Sequence, residues 1–104
     1  MNDETKFQLI DQLRFCQTTI EDTLFNTRVA AKAKIEDETR EAFMESITTQ
    51  EETLIKLEDI IKGLQENQTP DLELLSINIS KMVNTVLLQQ TEMRGFVKLI
   101  FNQE

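Results

Sequence analysis

Side chains that commonly carry catalysis are scarce in this chain of 104 residues. It contains no histidine and therefore lacks the commonest general base at neutral pH. Its single cysteine, Cys16, excludes an internal disulfide and a Cys/His metal site. Cys16 flanks an apolar stripe, a position where cysteine usually packs as a small hydrophobic side chain. We therefore predict a protein that is not an enzyme and has no catalytic, cofactor-binding or metal-binding residues.

The remaining candidates for chemistry are carboxylates. The run Glu36-Asp37-Glu38 could belong to a calcium loop, but it lacks the alternating Asp and Asn ligands and the central glycine of that motif. Gly63 and Gly95 are the only glycines, so the chain has no glycine-rich phosphate loop. We interpret the acidic run as the exposed first turn of a helix, where carboxylates are favourable.

The elements that position these residues are predicted to be helices. No glycine or proline occurs in residues 3–62, and apolar residues recur there at helical spacing. The pattern predicts an all-α fold: one domain, 1–104, with helical segments at about 3–34, 36–65 and 70–102, packed as an antiparallel helical bundle or coiled coil. The predicted core stripes are Ile10, Leu13, Gln17, Ile20, Leu24 and Ala31; then Phe43, Ile47, Gln50, Leu54, Leu57, Ile61 and Leu64; then Leu72, Leu75, Ile79, Met82, Val86, Met93, Phe96 and Ile100. Met44 is expected to fill the core beside them.

The second and third segments are separated at residues 63–70. Thr69 supplies a capping hydroxyl, Pro70 suits the first helical position and Asp71 places an acid in the first turn. These residues predict that the last helix starts there. Beyond Gly95, residues 96–101 either continue this helix and pack near Phe43 or form a loose apolar tail, and the packed arrangement is favoured.

The join between the first two segments allows two models. Three cations in residues 28–34 precede three acids in residues 36–38, the order expected at a helix end followed by a helix start. This order predicts a turn near residues 34–39 and a compact monomer. Residues 30–34 are strongly helix-forming, however, and no turn residue lies between residues 28 and 37. That absence favours one continuous helix, about 90 Å long at 1.5 Å per residue, in a domain-exchanged homodimer.

The formal net charge of −8 argues against direct binding of nucleic acid, which needs clustered Lys and Arg. Residues 35–67 hold ten acids and three bases, a net charge of −7. The acidic face predicted to steer a basic partner contains Glu51, Glu52, Glu58 and Asp59. No stretch approaches the ~18 apolar residues of a membrane span, and the first residues do not resemble a signal peptide. We expect a cytoplasmic protein that binds neither nucleic acid nor membrane.

Some apolar residues lie outside the core stripes. In the first segment, Phe15, Phe25 and Val29 form a second, thinner stripe. In the last segment, the corresponding residues are Leu74, Ile77, Leu88 and Leu99. These seven residues are our candidate partner-binding surface. Self-association, or a central position in the bundle, would bury the same residues without a foreign partner.

Two parts of the chain resemble the flagellar export chaperones of the hook–filament junction proteins. Residues 84–90, Asn-Thr-Val-Leu-Leu-Gln-Gln, followed by Phe96, Val97 and Ile100, resemble the last helix of these chaperones. The Glu-rich residues 40–60 resemble their long first helix. The resemblance covers about half the chain and implies a small, acidic, cytoplasmic, helical protein that binds a helix of its export substrate. The Gly-Asp turn common in that family is absent between Lys34 and Phe43.

The sequence thus predicts a non-enzymatic protein–protein interaction module. We expect a small acidic adaptor, chaperone or regulator that binds a partner through apolar helix faces, by helix-in-groove packing. Three alternatives remain open. They are an acidic inhibitor of phage or mobile-element type that blocks a basic nucleic-acid-binding surface of its target, a flagellar or secretion export chaperone, and a structural homo-oligomer.

Overall fold

The computed structural model describes residues 3–68 and 71–102. These residues form three helices, α1 (Asp3–Ala31), α2 (Asp37–Gln65) and α3 (Leu72–Phe101). Side-chain contacts show that α2 runs back along α1 and that α3 returns alongside α1 in the same direction as α1. The bundle measures 55 × 20 × 16 Å. The predicted all-α bundle is confirmed.

The central helix of the bundle is α1. It packs against both α2 and α3, whereas no Cα atom of α2 lies within 8 Å of a Cα atom of α3 in the described residues. A helix between two neighbours must bury a wide face. The buried residues of α1 are Leu9, Ile10, Leu13, Cys16, Thr19, Ile20, Thr23, Leu24, Thr27, Ala30 and Ala31. They include the whole predicted stripe except Gln17, which is half-buried.

Three threonines that the predicted stripe omits lie in this buried face. Thr19, Thr23 and Thr27 are 4%, 4% and 0% exposed. Each hydroxyl donates to the carbonyl oxygen four residues earlier, at 2.9, 3.0 and 2.7 Å respectively. Because the polar atom is satisfied within its own helix, the side chain can face a neighbouring helix without an unpaired hydroxyl.

The predicted stripes of α2 and α3 complete the core. Every residue in them is buried or half-buried. At one end of the bundle the rings of Phe43 and Phe96 meet edge to face, with centroids 5.1 Å apart. Residues 96–101 therefore stay helical and Phe96 packs on Phe43, as predicted, whereas Leu99 and Phe101 stay 65% and 50% exposed. The expectation for Met44 is wrong: it is 52% exposed, because it lies about 100° around α2 from Phe43 and points away from the core.

The chain turns at residues 32–36, so the single chain does not form the continuous helix that its composition favoured. The turn is held by Arg40, in the first turns of α2. Its Nε donates to the carbonyl oxygen of Ala31 and its Nη2 to that of Ala33, both at 3.0 Å. A cation that binds the last carbonyl groups of a helix stabilises the helix end. The domain-exchanged dimer concerns an assembly of two chains and stays a prediction.

A Schellman motif ends α2. Asn67 has a positive φ of 59°, the left-handed conformation that such a motif needs. The amide of Gln68 donates to the carbonyl oxygen of Gly63 at 2.9 Å, and that of Asn67 to Leu64 at 3.2 Å. Gly63 is thus the carbonyl acceptor inside the helix, and asparagine takes the left-handed position.

The cap of α3 is Asp71. Its carboxylate accepts a hydrogen bond from the amide of Leu74 at 3.0 Å. The prediction placed Asp71 in the first turn and gave the capping role to Thr69. Asp71 has the capping role here, and Thr69 and Pro70 lie outside the described residues.

We expect Arg40→Met to lower the free energy of unfolding of the monomer by about 1 kcal/mol. It removes two charge-assisted hydrogen bonds to the end of α1 and one to Asp37 at a partly exposed site, and it keeps the apolar stem of the side chain. Chemical denaturation measures the change. Arg14→Met, at an exposed position of α1, is the matched control and should change the value by less than about 0.5 kcal/mol. An unchanged midpoint for Arg40→Met would show that the turn does not depend on this contact.

We expect Gly95→Ala to stabilise the chain by up to about 1 kcal/mol, the difference in helix propensity between the two residues. Nothing lies within 4 Å of the position that a Cβ atom would take at Gly95, so the added methyl group meets no neighbour. Thermal denaturation should show a higher midpoint. A lower midpoint, measured at a concentration where the chain is monomeric, would contradict the open environment of this residue.

Candidate protein-binding surfaces

The outer face of α3 carries a row of exposed apolar side chains. Leu74, Ile77, Leu88 and Leu99 are 55%, 52%, 59% and 65% exposed. At 3.6 residues per turn, all four fall within an arc of about 60°. The opposite flank of α3 contacts α1, where Gln90 and Arg94 donate to the carboxylate of Asp22 at 2.9 and 3.0 Å. The four predicted residues therefore lie together on one surface, which we call the α3 row.

The predicted residues of α1 fall within an arc of about 80°, wider than that of the α3 row. Phe15 and Phe25 are 46% and 65% exposed, and Val29 is half-buried. Phe25 shares its face with Phe7, which is 63% exposed and lies five turns earlier. Phe15 lies about 80° further around the helix. The sequence reading missed Phe7, although its separation of eighteen residues from Phe25 places the two on one face.

The four predicted acidic residues are exposed on α2 but occupy two faces. Glu58 accepts a hydrogen bond from Nε2 of Gln17 at 2.8 Å, and Glu51 forms an ion pair with Arg28 at 3.6 Å. Both pairs bridge α2 to α1. Glu52 and Asp59 lie about 100° away, on the outer side of α2, and form no ion pair within the described residues. Of the four, only Glu51 and Glu58 make a polar contact with α1 within the described residues.

A groove runs between α2 and α3, with α1 as its floor. It contains a cavity of about 280 Å³ whose lining includes Thr23, Phe43, Gln50 and Phe96. The amide nitrogen of Gln50 donates to the hydroxyl of Ser46 at 2.8 Å, whereas its carbonyl oxygen is buried without a partner in the described residues. Nowhere in residues 3–68 and 71–102 do three His, Cys, Asp or Glu side chains lie close enough together to hold a metal ion.

Cys16 is fully buried in the core, as its position beside the stripe predicts. Burial raises the pKa of the Cys16 thiol above its ordinary value, because the thiolate would lose its hydration. The neutral thiol is a poor nucleophile. The chemistry of this residue is therefore that of a small hydrophobic side chain.

We expect the ionisation of Cys16 to destabilise the fold at alkaline pH. The raised pKa in the folded chain means that the unfolded chain loses its proton first, so the free energy of unfolding falls as pH rises above about 8.5. Denaturant titrations at about pH 7.5 and about pH 9.5 measure this fall, and Cys16→Ala should show a smaller fall. Equal falls in both chains would contradict the prediction.

Comparison with known proteins adds no relative: no protein-family model, curated protein or solved structure matches this chain. The likeness to flagellar export chaperones therefore stays a prediction. None of the described helices has an apolar stretch that could span a bilayer. The exposed helix faces are therefore the basis for a functional proposal.

Proposed function

We propose that this protein is a non-enzymatic protein-binding module, a small acidic adaptor, chaperone or regulator whose apolar helix faces bind other polypeptides. The observation that carries the proposal is the α3 row. Its four large apolar side chains stay more than half exposed after the core of the bundle is complete. Large apolar side chains that stay exposed along one face of a helix indicate an interaction site.

The geometry of the α3 row suits packing against another helix. Its residues follow the helical period, so the apolar side chains of a partner helix can pack between them. The exposed rings of Phe7, Phe15 and Phe25 offer separate anchor points on α1. Because the chain has no Trp or Tyr, Phe, Leu and Ile must supply the anchors of any interface.

The negative charge of α2 supports a role of this helix in speeding the association of a basic partner. This helix holds eight acids and three bases, a net charge of −5, and directs Glu52 and Asp59 outward. A basic partner is attracted over roughly 10 Å at physiological salt. Such exposed charges change the association rate more than the final affinity. The lone, buried thiol is compatible with the reducing cytoplasm, where we place the protein.

Binding is tested with partners captured from the organism of origin, identified by mass spectrometry and then purified. Leu74→Ala or Phe15→Ala should lower the affinity about tenfold or more, because each removes a large apolar side chain from the proposed surface. Glu52→Lys combined with Asp59→Lys should mainly slow association, and the effect should weaken at high salt. Surface plasmon resonance separates the two rates.

The apolar truncations and the charge-reversal variant together also test a second candidate function, that of an acidic inhibitor. An acidic inhibitor of a nucleic-acid-binding protein requires the opposite ranking, in which charge reversal at Glu52 and Asp59 abolishes binding and the apolar truncations have little effect. Failure of the wild-type chain to retain any polypeptide would contradict the proposed function as a whole.

A further inference from the structure

We propose that Ile77, Leu88 and Leu99 of the α3 row bind the same three residues of a second copy of this chain, in an antiparallel pairing centred on Leu88. The inference rests on the proposed function and names the partner of this one surface. It leaves the exposed rings of α1 available for a foreign polypeptide.

The spacing of the row is self-complementary. Ile77 and Leu99 each lie eleven residues from Leu88. A twofold axis through Leu88, perpendicular to α3, places Ile77 opposite Leu99 of the second copy, and Leu88 opposite its own counterpart. Eleven residues make close to three full turns, so the three side chains keep to one face with a drift of about 20° per step.

The charges along the row favour the antiparallel arrangement. The same register places Lys81 opposite Gly95 of the second copy, and Asn84 opposite Glu92 of the second copy. Lys81 then lies about 4.5 Å along the helix axis from Glu92 of the second copy, within reach of an ion pair that symmetry forms twice. A parallel pairing in register would instead place Lys81 beside Lys81 and Glu92 beside Glu92, which is repulsive.

The distribution of charge over the three helices favours α3 as the helix that contacts a second copy. This helix holds two acids and three bases, a net charge of +1, in a chain whose net charge is −8. By the same count α1 carries −2, from five acids and three bases, and α2 carries −5. Of the three described helices, α3 is the one through which two copies can approach without bringing net negative charge together.

Gly95 is accounted for by this pairing. A glycine inside a helix is destabilising relative to alanine, and packing within the single chain does not require one here because nothing lies within 4 Å of a Cβ position. In the pairing, Gly95 faces Lys81 of the second copy. The four-carbon stem of that lysine can lie across the bare backbone while its ammonium group reaches Glu92.

Engineered disulfides test the register. In a Cys16→Ala background, Leu88→Cys should form a disulfide-linked dimer on mild oxidation, because its two copies meet at the axis. Ile77→Cys alone and Leu99→Cys alone should not crosslink, since the two copies of each lie about 33 Å apart. An equimolar mixture of those two variants should crosslink. Glu52→Cys, on the outer side of α2, is the negative control on non-reducing gels.

Sedimentation equilibrium tests the dimer without engineered thiols. The wild-type chain should show a dimer mass at micromolar concentration and Leu88→Lys a monomer mass, with unchanged far-ultraviolet circular dichroism because Leu88 is exposed in the single chain. Three results would overturn the inference: a monomeric wild-type chain, a dimer that Leu88→Lys leaves intact, or self-crosslinking of Ile77→Cys.

These results are separate from the test of the proposed function. They use the purified chain alone, so a monomer mass removes the second copy as the partner of the α3 row but leaves foreign binding to be judged by Leu74→Ala and Phe15→Ala. A dimer that retains no foreign polypeptide would support the inference and contradict the adaptor role.

Discussion

Burial of α1 between two helices that share no close backbone contact is the constraint on which the bundle depends. A single apolar stripe covers only one side of a helix, whereas α1 must face both α2 and α3. Thr19, Thr23 and Thr27 widen the buried face, because each hydroxyl bonds to its own helix and leaves a small, largely apolar side chain for packing.

The central position of α1 also decides what the other two helices expose. Each of them packs on α1 through one flank and leaves most of its circumference outside the core. On α2 that outer surface is acidic, with Glu52 and Asp59 pointing outward, and on α3 it is the apolar α3 row. Under the proposed function, α2 supplies attraction at a distance and α3 supplies binding at contact, so a change to one need not disturb the other.

The period of the apolar residues was sufficient to predict the helices and the core stripes, because burial follows that period closely. The order of charges around residues 28–38 also predicted the break after α1 correctly. Local helix propensity nevertheless favoured a continuous helix. The contact that stabilises the turn, from Arg40 to Ala31, joins residues nine positions apart. Local propensity contains no information about such a contact.

Other differences between the predicted and the observed placement of residues have separate causes. The buried threonines were missed because residue type was taken to indicate exposure, whereas a hydroxyl that bonds to its own helix is already satisfied. The acidic residues were grouped by proximity in the sequence, although neighbours such as Glu51 and Glu52 differ by about 100° around a helix. The second stripe of the first segment was compatible with a central position of α1, but Phe15 and Phe25 stay exposed, and threonines widen the buried face instead.

The position of α1 sets an order in which the chain can assemble. α1 and α2 are joined by residues 32–36, so their pairing closes a short loop. Docking of α3 instead joins partners such as Asp22 and Gln90, which are 68 residues apart. An α1–α2 pair that forms first therefore leaves uncovered the flank of α1 that later receives α3. Until α3 docks, the chain presents apolar surface that the finished bundle hides.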